Sequence, residues 1–374
     1  MRAGASLDAV ADKLKVSPED VVAWEEQRSL PSFAKARDAA KYLRVPFGYL
    51  FLDKPPRETI AIPDLRRVGG EPLEQLGPDF TQVYQDAIAK QNWYREYLAQ
   101  QGAAELPFVG SRTINDDAAA VAADMRRTLG VTAEWRRACA NWEAMYRELV
   151  AKTERTGVLV LRNSIVGNNT RRPLSVQEFR GFALSDKLAP LIFINSADAT
   201  AAQIFSLSHE LAHIWLNVSA ISNFGLNRTA EGYDALEVFC NRTAEEFLVA
   251  RDEFRARWRA DLSLDQNADA LSREFRVSPL VIARRALDLG RIARDQYLRF
   301  YEHASAAREQ APERKEKRGG GPDFYTLARV RNSATFAKAV LTEAFEGRML
   351  LRDAGQLLSV RPAKLKELAK ELEG

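Results

Sequence analysis

Two histidines four residues apart, His209 and His213, constrain this chain more than any other feature of it. Residues i and i+4 share one face only on an α-helix, so the pair predicts a helix running from Ala199 through Leu216. The flanks agree. Ile204, Phe205, Leu207 and Leu211 recur at helical spacing, and Ile214, Trp215 and Leu216 continue the apolar surface. Glu210 falls between the histidines on an adjacent face. The chain has only three histidines in 374 residues, which makes a chance pairing of two of them uncommon.

His209-Glu210-Leu211-Ala212-His213 is an H-E-x-x-H pattern, in which both imidazoles can reach one ion. Neutral imidazoles suit zinc, at about 2.0–2.1 Å from nitrogen to metal, and manganese or another divalent metal suits the same donors. A carboxylate beside such a site, Glu210 here, can take a proton from water and pass it to a leaving amine. A catalytic zinc site needs three protein ligands. The third histidine, His303, lies far along the chain. A closer candidate is Glu237, which opens a helix reaching Leu248, with Glu231, Asp234, Glu245 and Glu246 as competing carboxylates nearby. Asn241 shares the helical face of Glu237 and is placed to accept the second N–H of a liganding histidine. Cys240, three residues after Glu237, is a further zinc-binding candidate, but on a helix with a large apolar face it reads better as a small core residue. Tyr233 and Arg228, between the two helices, are candidates for stabilising charge in a transition state.

Around these helices the pattern is α+β and mostly helical. Strand-length apolar runs occur at Val158–Leu161, Phe179–Leu184 and Leu191–Ile194, separated by turn residues such as Gly167-Asn168-Asn169. The second and third of these, directly before the histidine helix, are expected at the sheet edge, where an extended peptide could pair and Gly181 would allow close approach. Residues 1–57 read as two short helices about a tight turn at Lys15-Val16-Ser17 plus a third helix, a helix-turn-helix arrangement. Residues 58–303 hold the sheet and the site. Residues 304–322, charged and ending in Gly319-Gly320-Gly321-Pro322, read as a flexible linker, and 323–374 as a C-terminal helical domain. The pattern Val10-Ala11, Leu14, Val16-Ser17-Pro18, Val21 returns at Leu271-Ser272, Phe275, Val277-Ser278-Pro279, Ile282, giving a second helix-turn-helix-like unit at about 269–295. A weaker copy falls at Leu358, Val360, Pro362 and Leu365.

Charge and composition narrow the function classes. Lys+Arg 54 against Asp+Glu 51 gives a net charge of +3, so any nucleic-acid surface must be local. The first unit would present Glu19, Asp20, Glu25 and Glu26 against Arg28 to a DNA groove, which disfavours direct DNA binding there. A protein-docking or dimerising role suits it better. Two distant cysteines, Cys139 and Cys240, cannot form a disulfide framework. No run approaches the roughly 20 apolar residues that span a bilayer, and a cytoplasmic protein without a membrane partner is expected.

The segment Phe205–Leu216, with the helix Glu237–Val249, the preceding stretch Gly157–Asn195 and the N-terminal unit, resembles the ImmA/IrrE-type metallo-endopeptidases that carry an N-terminal Xre-like helix-turn-helix. That resemblance implies a zincin-like core, zinc ligands His209, His213 and Glu237, and Glu210 as general base. It further implies a protein substrate, a helix-turn-helix transcriptional repressor whose cleavage derepresses genes for stress response or mobile elements. The competing expectation is a transcription regulator or antitoxin-like binding protein whose metal site is structural or relict.

Overall fold

The start of the chain is organised by two serine caps. In the computed structural model, which describes residues 6–43, 47–52, 66–67, 77–222, 235–310 and 323–373, Ser6 caps α1 (Leu7–Leu14). Ser17 caps α2 (Pro18–Glu25) through a reciprocal capping box with Asp20, and Pro18 stands in the first turn, where no N–H is needed. With α3 (Phe33–Leu43), these helices enclose a small core of Val10, Ala11, Leu14 and Val21, with Trp24 and Tyr42 packed against it. They belong to the first of two compact units, Met1–Pro63 with Pro72–Gln85. The second unit comprises Asp64–Glu71 and Asp86–Gly374.

The second unit begins with β1 (Arg66–Arg67) and takes in α4 (Pro78–Gln100) from Asp86 onward, then α5 (Ala118–Leu129), α6 (Ala133–Ala138) and α7 (Trp142–Arg155). Next come β2 (Leu159–Asn163), a small antiparallel pair β3 (Ile165–Val166) and β4 (Asn169–Pro173), then β5 (Gly181–Leu184) and β6 (Leu191–Asn195). The histidine helix α8 (Thr200–Trp215), β7 (Ala220–Ser222) and α9 (Ala235–Leu248) complete the site region. The main sheet runs β1-β7-β5-β6-β2. β5 is antiparallel to both of its neighbours, and the outer pairs β6–β2 and β1–β7 are parallel. One face of the sheet receives α8, which packs on β5 and β6 and in turn meets α9. The fold is therefore α+β and mostly helical, with a small mixed sheet.

Strand order corrects the expected edges. β5 and β6 lie inside the sheet, and the ends of the order are β1 and β2. Every residue of β5 and β6 is buried, as befits strands covered on both faces. The continuously apolar run Leu191–Ile194 suits an interior strand, whereas two-residue β1 carries no apolar signature at all.

After α10 (Arg251–Arg257), α11 (Leu264–Phe275) and α12 (Pro279–Asp288), α13 runs from Arg294 to Gln310. Residues 304–310, assigned to the linker on charge, are thus helical. Ala304, Ala306, Ala307, Arg308, Glu309 and Gln310 are good helix formers. The rest of the expected linker, 311–322, lies outside the described residues. Four further helices follow, α14 (Phe324–Asn332), α15 (Ala334–Phe345), α16 (Leu351–Leu357) and α17 (Leu365–Glu373). They pack within the second unit. α14 lies against β2, Phe336 meets Trp93 edge-on at 5.5 Å, and Lys90 Nζ donates to Asn332 Oδ1 at 2.6 Å. Asn332 in turn donates to the Leu358 carbonyl at 2.9 Å.

The repeated sequence pattern marks a repeated turn. Three residues before each proline the backbone is left-handed, at Lys15 (φ 53°), Arg276 (φ 56°) and Ser359 (φ 52°). Each turn closes with the same long-span bond, from Val16, Val277 and Val360 N–H to the carbonyl five residues back. The valine is buried at Val277 and Val360 and half-buried at Val16, so the pattern encodes a way of ending one helix and starting the next. No helix among the described residues is long and apolar enough to cross a membrane.

Candidate metal centre

α8 is buried along nearly its whole length, and this lets it carry two histidines and a glutamate at 0% exposure. Its apolar residues join the main core through Ile204, Leu207, Leu211, Ile214 and Trp215. Trp215 fixes the C-terminal end, stacking on Phe108 at 4.5 Å and donating its Nε1–H to Asp124. α9 packs alongside and brings in Glu237, Cys240 and Asn241, all buried.

The three expected ligands converge. His209 Nε2 lies 2.9 Å from His213 Nε2, and the Glu237 carboxylate places Oε2 3.1 Å from the first and Oε1 3.3 Å from the second. Ligand atoms of this group all fall within 4.8 Å of one another, and it is the one such cluster among the described residues. A tetrahedral ion with bonds of about 2.0–2.1 Å sets neighbouring donors about 3.3 Å apart, so the spacing fits such an ion. The donor set, two imidazoles and a carboxylate, fits as well.

Each imidazole is oriented from behind by α9. His209 donates its Nδ1–H to Asn241 Oδ1 at 3.1 Å, which leaves the Nε2 lone pair facing the cluster. His213 Nδ1 lies 3.7 Å from Cys240 Sγ. Cys240 is therefore more than the core filler expected of it. Its signal was present in the sequence, because it follows Glu237 by three residues on one helix. Burial pushes the His209 imidazole below its ordinary pKa, keeping it neutral against the pull of Glu237. Burial alone would raise the Glu237 carboxyl, but His213 and His209 beside it hold it well below the usual carboxylate range.

The Glu210 carboxylate lies beside Gly181 of β5. A Cβ on Gly181 would come within 3.1 Å of Glu210 Oε1 and 3.0 Å of the Phe193 carbonyl oxygen. The glycine expected to admit a substrate backbone instead admits this carboxylate. No spacing rule links positions 181 and 210, so sequence reasoning missed the contact. Of the rival ligands, Glu246 is occupied elsewhere, ion-paired with Arg285 and accepting from Arg251 N–H at 3.0 Å. Glu245, also buried on α9, and His303, exposed on α13, are not in the cluster. Tyr233, Arg228, Glu231 and Asp234 lie outside the described residues.

A buried His/His/Glu cluster with a further carboxylate on the same helix is the layout of a metallopeptidase site. Residues 153–287, from the last turn of α7 to α12, match the family model described as the IrrE N-terminal-like domain, a peptidase family. Residues 332–371 match a domain of unknown function, DUF8813. No curated protein and no solved structure matches the chain.

Proposed function

We propose that this chain is a zinc-dependent endopeptidase that cleaves one specific protein, a helix-turn-helix transcriptional repressor, and so derepresses genes for stress response or mobile elements. The observation that carries the reading is the convergence of His209, His213 and Glu237 at 2.9–3.3 Å, with Glu210 on the same helix. In this reading those three residues hold the ion, and Asn241 and Cys240 orient the imidazoles. A bound divalent ion supplies Lewis-acid polarisation of the scissile carbonyl and lowers the pKa of water towards about 7. Glu210 takes the proton from the attacking water and delivers it to the leaving nitrogen. Three protein ligands with a carboxylate outside the group favour catalysis over a structural zinc, which is closed by four. The test is incubation with a purified helix-turn-helix repressor encoded beside this gene, followed by intact-mass analysis. One cut, abolished by chelator, is expected. An intact repressor in the presence of zinc and manganese would overturn the substrate assignment.

Gly181 should matter to this chemistry through its missing side chain. Gly181→Ala presses a methyl group on Glu210 and on the backbone of β6. We expect stability to fall by about 1–3 kcal/mol and cleavage to fall more than folding does. Urea denaturation and kcat/KM on the same preparations read the two effects separately.

The first unit is expected to serve recognition of protein, not of DNA. Glu19, Asp20 and Glu25 lie exposed on α2, and Arg28 is ion-paired with Glu26. Bare duplex should give no sequence-specific mobility shift at micromolar protein and physiological salt. A footprint lost in Arg28→Ala would refute this.

A further inference from the structure

Three arginines from distant parts of the sequence meet around one cavity of the second unit. Arg147 comes from α7, Arg162 from β2 and Arg329 from α14, and the cavity between them measures 210 Å³. Tyr325, Glu154 and Glu371 also reach its wall. Three cations thus stand against two carboxylates on the wall. Glu154 is engaged by the Ser333 side chain and by the Ala334 and Val160 backbone and feels the charge of Arg162, while burial pushes its carboxyl above the ordinary value. Among the described residues none of the three arginines forms an ion pair within 4 Å. Arg162 sits deepest. Its guanidinium lies over the Tyr146 ring at 4.9 Å, which fixes the plane of the fork, and its buried Nε makes no hydrogen bond with the protein. A guanidinium held by stacking, with its buried Nε–H unused, has a donor left to give to a bound acceptor.

We propose that this cavity binds a small oxyanion, a phosphate or carboxylate group carried by a metabolite-sized molecule. Planar guanidinium forks match both groups through paired charge-assisted hydrogen bonds. The 210 Å³ of space is room for several water-sized groups. That accommodates a phosphate, a phosphorylated three-carbon unit or a short dicarboxylate. The ligand would bridge α7 and β2 to α14. It would thereby tie the strand that opens the peptidase-like region to the C-terminal helices.

Full-length protein should be titrated calorimetrically with inorganic phosphate, glycerol 3-phosphate and succinate in turn, at constant ionic strength set with chloride. At least one should bind saturably at one per chain and raise the melting temperature with concentration. Tighter binding of succinate assigns the carboxylate source, and tighter binding of either phosphate assigns the phosphate source. Arg162→Met should weaken binding by about tenfold or more, and Arg329→Gln several-fold, with metal content unchanged. Arg147 and Arg329 are exposed at the rim, so Arg147→Gln and Arg329→Gln decide the matter should Arg162→Met not fold. No saturable binding of the three ligands, or undiminished affinity in the rim variants, overturns the proposal.

Discussion

In Glu210→Gln, cleavage of the cognate protein should fall by about 10²- to 10⁴-fold, while metal content and thermal unfolding stay at parental values. The amide has the same volume, so it fits the space that Gly181 leaves beside β5. It cannot accept a proton at neutral pH, and that is the property the reaction requires. Single-turnover cleavage and metal analysis on one preparation make the comparison. A parental rate would remove Glu210 from the mechanism, whereas loss of metal would mean that the side chain holds the site together.

Removing a ligand should have the larger effect on the protein itself. His213→Ala and Glu237→Ala are each expected to reduce metal from about one ion per chain to near zero after dialysis. An outer partner such as Asn241 should cost only about 10- to 100-fold in metal affinity. Loss of the ion should also lower stability. A ligand present at a thousand times its Kd contributes about 4 kcal/mol, which for a unit of this size is on the order of 10 °C in Tm. Chelator should reproduce the shift in the parental protein and leave both variants unmoved. Full metal retention by either one would remove that residue from the ligand set.

The site was legible in the sequence because helices turn spacing into geometry. A spacing of four from His209 to His213, and again from Glu237 to Asn241, places each pair on one face without knowledge of the fold. The apolar runs at Val158–Leu161 and Leu191–Ile194 likewise announced strands. Strand order was not legible, since pairing joins residues far apart and β1, as Arg66–Arg67, resembles any exposed dipeptide. The packing of α14 on β2 was hidden in the same way. So was the meeting of Arg147, Arg162 and Arg329, each of which reads alone as a solvated surface charge. The three helix-ending turns stood in between. Their shared Val and Pro were visible, but the left-handed residue at Lys15, Arg276 or Ser359 follows from backbone sterics that side-chain patterning does not express.

Both thiols of the chain are buried, and Cys240, at 0% exposure, rests against His213. A thiol reagent in solution can reach that sulfur only when α8 and α9 part. The protein thus carries its own clock for breathing of the histidine cluster. The pseudo-first-order labelling rate of Cys240, divided by that of an unprotected thiol, gives the fraction of time the helix pair stands open. Cys139, against α6 and away from the cluster, serves as the internal control in the same reaction. Added zinc should slow Cys240 and spare Cys139. Selective protection would localise the ion to the α8–α9 seam without any mutation and without a known substrate.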